Sequence, residues 1–343
     1  MLYLSYCKIF NKVDVMTDPE KNAYILIRRR LAVSRAELAR SLGISRPTAS
    51  SVCESLLEKN LIRECGKGKS TGGTAPTLLS ANKDLPGVIG IDFGYTDKMS
   101  AVLIDGAGDI IARQEVTFDS SDMKSIADSA GMLVDRFAAE HAVCGVALAL
   151  SAVIDERSRK VLKSVNPLFC KEDFVPVLEE KLGQQVFVAN RSRAAAVSEA
   201  FGGAADREND FALISLGKSV GAAFWCGGEL FGGSNSSAGE VRNLRLPDGE
   251  RLEDALSRER VAVSPRETIV KKCAEALGQI IDIMDLKLLV LSGRFADFGS
   301  DFAPQLEDEL DSWRVKVRQA KFGRFSAARG SAFQMVEELV KSE

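Results

Sequence analysis

A chain of 343 residues exceeds what one hydrophobic core sustains, roughly 250 residues, so two or three domains are expected. Hydrophobic residues at 45% and charged residues at 27% are an ordinary globular balance, and no apolar run reaches the ~18 residues a membrane helix needs. The net charge of −3 is unevenly spread: residues 1–85 carry 14 Lys and Arg against 8 Asp and Glu, which leaves the remainder at −9. A basic head on an acidic body points to an anionic partner for the head, nucleic acid foremost.

The opening stretch MLYLSYCKIF is apolar but has no basic flank before it and no small-residue cleavage pattern after it. It reads as a poor signal peptide, and the expected location is the cytoplasm. The seven cysteines are odd in number, scattered and without a CxxC pair, which argues against a disulfide framework and a structural zinc site. The single histidine, His141, follows FAAE at an expected helix end, where an exposed side chain is the plain reading.

In chain order, EKNAYILIRRRL sets Tyr24, Ile27 and Leu31 at helical spacing, a supporting first helix. SRAELARSLGISRPTASSVCE follows as two helical patterns joined at Gly43, Ile44 and Ser45. Ser34 with Glu37 forms a capping box, and Gly43 supplies the backbone freedom of the turn. The second helix is capped by Ser45 and carries Pro47 in its first turn. It is expected to bury Ala49, Val52, Cys53, Leu56 and Leu57, with Arg46, Ser50, Ser51 and Glu54 on the opposite face. NLIRECGKGKSTGGTAP then reads as a strand, a basic glycine-rich tip with Lys67 and Lys69, and a turn. The whole is a winged helix-turn-helix over residues 1–85. Such a module presents Ser45, Arg46, Ser50 and Ser51 to the major groove of a double-stranded operator and rests Lys67 and Lys69 on phosphate. Arg46 is the foremost base reader, worth about 1–3 kcal/mol of discrimination in a bidentate contact to guanine.

Past ANKDLPG, a loop-like linker, the pattern turns to strands. GVIGIDFG is a buried strand, SAVLIDGAGDIIARQEVTF an antiparallel hairpin, and residues 123–140 a helix. The strand CGVALAL, the helix FVPVLEEKLG, the strand QVFVAN and a helix beginning near Arg191 follow. DFALISLGKSVGAAFWCGGELFGG is a second hairpin, and LKLLVLSG a strand flanked by helices. The alternation points to an α/β body of two lobes.

The segments GIDFGYT, GVALALSAVID, VNP, VANRSRAAA, GKSVG, GELFGGSNSSAGEV, RLED, LSGR and ARGSAF, in that order behind the helix-turn-helix, resemble the ROK family of sugar-responsive repressors and sugar kinases. The resemblance implies a two-lobed actin-like sugar kinase fold of ribonuclease H-like type. Residues 86–187 plus 325–343 would form the first lobe and 188–324 the second. It implies ligand contacts from Asn166, Asn190, Arg191, Glu240, Asn243 and Glu253, an effector that is a sugar or sugar phosphate, and a homodimer on the operator.

The departures from the family pattern are as informative. In the kinases, glycine-rich loops cradle ATP phosphates on backbone amides. Here Tyr95 interrupts the first loop, Gly217 to Gly221 lacks one glycine, and Ser292, Gly293 and Arg294 stand for the third. Asn243 stands at the zinc histidine and no cysteine precedes RLED, so neither zinc nor another cofactor is expected. Ser151 and Ala152 replace a Pro-Gly pair near the sugar. Arg191 occupies the position of the aspartate that serves as general base. A guanidinium cannot accept a proton at neutral pH, so no catalytic residue is assigned and the chain is expected not to be an enzyme. The leading reading is a sugar-sensing transcriptional regulator. The alternatives are a sugar kinase with an attached DNA-binding domain and a constitutive DNA-binding protein with a decayed cleft. Arg191 has two readings: with Arg193 or Lys218 it grips an anion, or it pairs with Glu240 or Glu253 and closes the empty pocket.

Overall fold

The computed structural model describes residues 15–69, 74–94, 97–155, 160–217 and 219–341. The opening decapeptide, Tyr95, Thr96 and Lys218 of the two glycine loops, and residues 70–73 of the wing lie outside these.

Helix α1 (Asp18–Arg30) supports a helix-turn-helix made of α2 (Arg35–Leu42) and α3 (Arg46–Glu58). The expected capping box forms: Ser34 Oγ accepts from the Glu37 amide at 3.2 Å, and the Glu37 carboxylate accepts from the Ser34 amide at 2.9 Å. Gly43 closes α2 in the left-handed region at φ 65°, and Ser45 Oγ accepts from the Thr48 amide at 3.2 Å to start α3. Ala49, Val52, Cys53 and Leu56 pack on Ala23, Tyr24 and Ile27 of α1; Leu57 is half-buried, where full burial was expected. The wing is the antiparallel pair β2 (Ile62–Lys67) and β3 (Thr77–Ala81), and β1 (Val33–Ser34) covers the other edge of β3. β3 starts directly after the expected turn, over residues the sequence reading leaves unassigned, and is fixed by pairing with two partners. The expected linker is a fixed turn: Asn82 is buried, with its Nδ2 donating to Asn60 O at 3.0 Å and its Oδ1 accepting from the Asp84 amide at 3.1 Å.

The body holds two five-stranded sheets of the same design. The first has the order β10-β7-β4-β5-β6, from β4 (Gly87–Asp92), β5 (Lys98–Ile104), β6 (Ile110–Thr117), β7 (Val143–Leu150) and β10 (Val186–Asn190). The second has the order β13-β12-β11-β14-β15, from β11 (Phe211–Leu216), β12 (Val220–Cys226), β13 (Glu229–Phe231), β14 (Leu288–Gly293) and β15 (Lys316–Gln319). In each, a three-stranded antiparallel meander comes first and two parallel strands extend from its first strand. A small hairpin, β8 (Ala152–Asp155) with β9 (Lys160–Ser164), branches from the first lobe and has no counterpart in the sequence reading. The lobe boundary drawn between residues 187 and 188 falls inside β10, which pairs along its length with β7.

Helices α4 (Met123–Glu140) and α5 (Phe174–Leu182) back the first sheet. Its capping residue His141 is half-buried, not exposed as expected. The short helices α7 (Leu252–Ala255) and α8 (Arg258–Val263) lead to α9 (Arg266–Met284) and α10 (Phe302–Glu309), which cover the second sheet. Between the sheets lie α6 (Arg191–Ala200) and α11 (Ser326–Lys341). Every residue of α6 is buried, which explains its alanines: a helix walled on all sides has no solvent-facing side and needs small side chains where neighbours approach. At the crossing, a Cβ on Gly330 of α11 would lie 1.6 Å from the Ala194 carbonyl oxygen of α6. The two helices therefore meet backbone to backbone at the pivot between the lobes. No helix among the described residues is long and apolar enough to cross a membrane.

Candidate ligand cleft and nucleic-acid interface

The exposed face of α3 carries Arg46 and Ser51, with Ser45 exposed at its cap and Ser50 half-buried. Lys69 is exposed near the wing tip, while Lys67 is exposed with its Nζ donating to Thr77 Oγ1 at 2.6 Å across the wing. Glu20 of α1 ties α3 to the supporting helix. Its carboxylate accepts from Ser55 Oγ at 2.5 Å, from Lys59 Nζ at 2.7 Å and from the Thr17 amide at 2.7 Å. Burial pushes this carboxyl up, but the hydrogen bonds from Lys59, Ser55 and Thr17 prevail and hold it down at about 2.

Two of the arginines that make the head basic do not face outward. Arg28 is 1% exposed, its guanidinium carbon 4.3 Å from the Phe333 ring centroid of α11 and its Nε donating to Gly106 O at 3.2 Å. Arg29 makes two 2.7 Å bonds to both oxygens of Glu337 and stacks over Phe201, at the end of α6. A charge count along the sequence assigns these to a nucleic-acid face; the fold spends them on docking the head to the lobe pivot. Arg329 of α11 joins the same joint, donating to Gly108 O and Ser198 O at 2.9 Å, and burial lowers its guanidinium to about 10.

The cleft lies where β4, β10 and β11 end. Asn190 closes β10 and caps α6: its Oδ1 accepts from the Arg193 amide at 3.0 Å and its Nδ2 donates to Ala152 O at 2.8 Å. Arg191 then points between the lobes and is 4% exposed. Its Nε lies 3.0 Å from both oxygens of Asp92 at the end of β4, and its Nη1 donates to Ser215 Oγ of β11 at 2.7 Å. Among the described residues the carboxylate on Arg191 is that of Asp92, not of Glu240 or Glu253 as one of its two readings has it; Glu240 faces Arg242 at 3.5 Å. Asp92 takes the role because it ends β4, one strand removed from β10 across β7, where it is 0% exposed and in need of a counter-charge. Burial pushes the Asp92 carboxyl up, with the Arg191 charge and the Gly94 amide pulling against it.

The guanidinium fills the space that three glycine loops enclose. A Cβ on Gly94 would fall 1.8 Å from Arg191 Nε, one on Gly217 2.8 Å from Nη1, and one on Gly293 3.3 Å from Nη2. Arg294 donates to Gly217 O at 3.2 Å from the outer side. The glycines expected from the resemblance to cradle an anion thus surround a side-chain cation. Further out, Arg258 meets Asp97 at 3.5 Å and Arg324 meets Glu115 at 3.6 Å, weak exposed pairs.

Beside Arg191 a cavity of about 40 Å³ is lined by Ser151, Ala152, Asn190, Ser192, Ser215 and Glu240. That space takes a few waters and no sugar ring. Of the six expected ligand residues, the fold brings Asn190, Arg191 and Glu240 to this cavity. Asn166 is buried elsewhere, its Nδ2 on Ser120 O at 2.8 Å and its Oδ1 accepting from the Leu168 amide at 3.1 Å. Asn243 is exposed on the short turn after Glu240, and Glu253 faces a second groove with Gly217 and Arg294. Arg193 is buried and donates to Gly232 O, on the far side of α6. No group of three or more His, Cys, Asp or Glu that could hold a metal ion occurs among the described residues. The partner the sequence reading missed is Asp92. The signal was present: an arginine opening an alanine-rich buried helix requires a carboxylate, and the first glycine loop keeps one.

The ROK family profile matches residues 88–248. A xylose repressor from Bacillus spizizenii is 28% identical over 225 residues, 64% of this chain and 58% of that protein, so the chain matches little more than half the length of this relative. Among solved structures, a ROK family transcriptional regulator, homologous to the E. coli MLC protein, superposes with a TM-score of 0.68 at 16% identity over 97% of both chains. A ROK family glucokinase from Streptomyces griseus superposes with a TM-score of 0.64 at 20% identity, over 72% of this chain and 98% of that one. The regulator covers nearly the whole chain and the glucokinase less than three quarters of it.

Proposed function

We propose that the chain, whose residues 88–248 match the ROK family profile, is a sequence-specific DNA-binding transcriptional repressor that senses a sugar or sugar derivative between its lobes and transfers no phosphate. The observation that carries this reading is the Arg191–Asp92 pair lodged among the three glycine loops. Phosphoryl transfer to a sugar needs a base at the sugar hydroxyl and an open cradle for the triphosphate. Here one guanidinium replaces the base and fills the cradle. The winged helix-turn-helix supplies the DNA contact, with Arg46 and Ser51 on bases and Lys67 and Lys69 on phosphate. A homodimer suits this arrangement, because two copies present two recognition helices to an inverted repeat.

The effector enters only if the lobes part, since the cavity beside Arg191 holds a few waters. Opening breaks the bridge from Arg191 to Asp92 and Ser215, and the sugar takes up Asn190 and Glu240; the operator affinity then follows the lobe angle. A second reading, a constitutive DNA-binding protein whose cleft no longer responds, is favoured by the same small cavity. Fluorescence anisotropy on labelled genomic fragments, titrated with xylose, other pentoses, hexoses and their phosphates, separates the two. Release by one sugar supports the sensor, and indifference to all of them supports the decayed cleft. A coupled assay with ATP and the same sugars tests the remaining claim; sugar-dependent turnover would overturn it.

A further inference from the structure

Arg207 belongs to the body yet faces the head. It lies in the turn that follows α6, with its side chain 72% exposed and its backbone in the left-handed region at φ 67°. An arginine gains nothing from that conformation, which costs a non-glycine residue about 1–3 kcal/mol unless the surroundings fix it. The surroundings do fix it: Asp206 Oδ1 accepts from the Gly202 amide at 3.1 Å, Glu199 Oε2 from the Ala204 amide at 2.8 Å, and the Glu208 carboxylate meets Arg318 at 3.0 Å. Gly202 in turn rests against Leu31, just past α1, so the turn is seated on the head. The nearest charge on Arg207 itself is Asp206 at 3.7 Å, a loose, exposed contact.

The side chain lines an open groove of about 1240 Å³ between α2 and the wing, together with Arg40, Arg46 and Lys69. Among the described residues Glu37 is the one carboxylate on that wall, and it is committed to the Ser34 capping box, whose hydrogen bonds hold its carboxyl below the ordinary range. Arg46 stands at the start of the recognition helix and Lys69 beside the wing tip, so the groove opens onto the face that meets DNA.

We infer that this groove takes one strand of duplex phosphate backbone and that Arg207 supplies a phosphate contact from the body. The inference rests on the reading of the chain as a DNA-binding protein and extends it: the operator is held by head and body together, from the turn at the end of the helix whose other end carries Arg191. A cation that neutralises one phosphate adds about 0.9 to the salt slope of the binding constant.

The test uses the full-length chain and a fluorescein-labelled duplex of mixed sequence, with affinity measured between about 50 and 200 mM salt. For Arg207→Ala, the fall in affinity across that range shrinks about 3.5-fold and the slope drops by about one, whatever the sequence of the duplex. Arg207→Lys keeps the slope. Arg207→Gly suits the left-handed backbone, so it folds at least as well as the wild type and still loses the slope. Unchanged slopes for Arg207→Ala and Arg207→Gly, beside a weakened Arg46→Ala, would overturn the inference and leave the DNA-binding reading intact. No duplex binding by the wild-type chain would remove that reading, and the inference with it.

Discussion

At the start of α6, Arg191 is 4% exposed and its Nε is shared between both oxygens of Asp92; just past the end of the same helix, Arg207 is 72% exposed with a loose partner at 3.7 Å. The two residues are the same chemical group at opposite ends of one rod. In the cleft, the cost of burying charge forces a carboxylate onto the arginine, and the pair binds lobe to lobe. At the head, solvent already satisfies the cation, and its charge stays available to a polyanion. Burial, and not residue type, decides whether an arginine here is structural or recognitive. Arg28 and Arg29 repeat the lesson inside the head itself, since both turn inward to the pivot.

The largest expected effect comes from the cleft end. Arg191→Ala leaves the Asp92 carboxylate buried without its counter-charge and costs about 3–5 kcal/mol in urea unfolding. Asp92→Ala combined with Arg191→Ala removes both charges and recovers a large part of that loss. A single substitution costing under about 1 kcal/mol would mean that the pair does not tie the lobes. Next in size, Arg46→Ala weakens the selected operator by about 1–3 kcal/mol and relaxes preference at one base position, read by anisotropy on point-substituted duplexes.

At the joint between the two ends, a double-mutant cycle of Arg29→Ala and Glu337→Ala is expected to give a coupling of about 1 kcal/mol, since Arg29 remains a quarter exposed. Zero coupling would detach the head from the pivot. The smallest effect is on acid stability. Glu20 is held at about 2, below its ordinary 4.5. A lowered folded-state value contributes stability that is complete above the unfolded value and fades as pH falls from 4.5 towards 2. In Glu20→Gln the part of the acid transition that follows helix-turn-helix circular dichroism in this window flattens; an unchanged profile would show that Glu20 does not hold α3.

Much of this was written locally. The capping box of Ser34 and Glu37, the turn at Gly43 and the cap at Ser45 depend on neighbours three residues apart, so they are legible in the chain. The same holds for the alternating strands and helices of the body. The small hairpin of β8 and β9 and the strand β15 have weak local patterns and owe their existence to pairing. In the cleft, the glycines around Arg191 and its need for a carboxylate were readable by position, but which carboxylate meets it was not. Asp92 is 99 residues away, and only the convergence of β4 and β10 in one sheet brings the two together. Asn166 lies apart from the cavity for the complementary reason: its hydrogen bonds go to Ser120 and a neighbouring turn, which no spacing rule reveals.

Selection of genomic fragments by the purified chain, followed by sequencing, reads out directly whether the head recognises a defined DNA sequence. Enrichment of one inverted repeat, lost in Arg46→Ala, is expected. Recovery of fragments with no shared sequence would contradict that reading of the head.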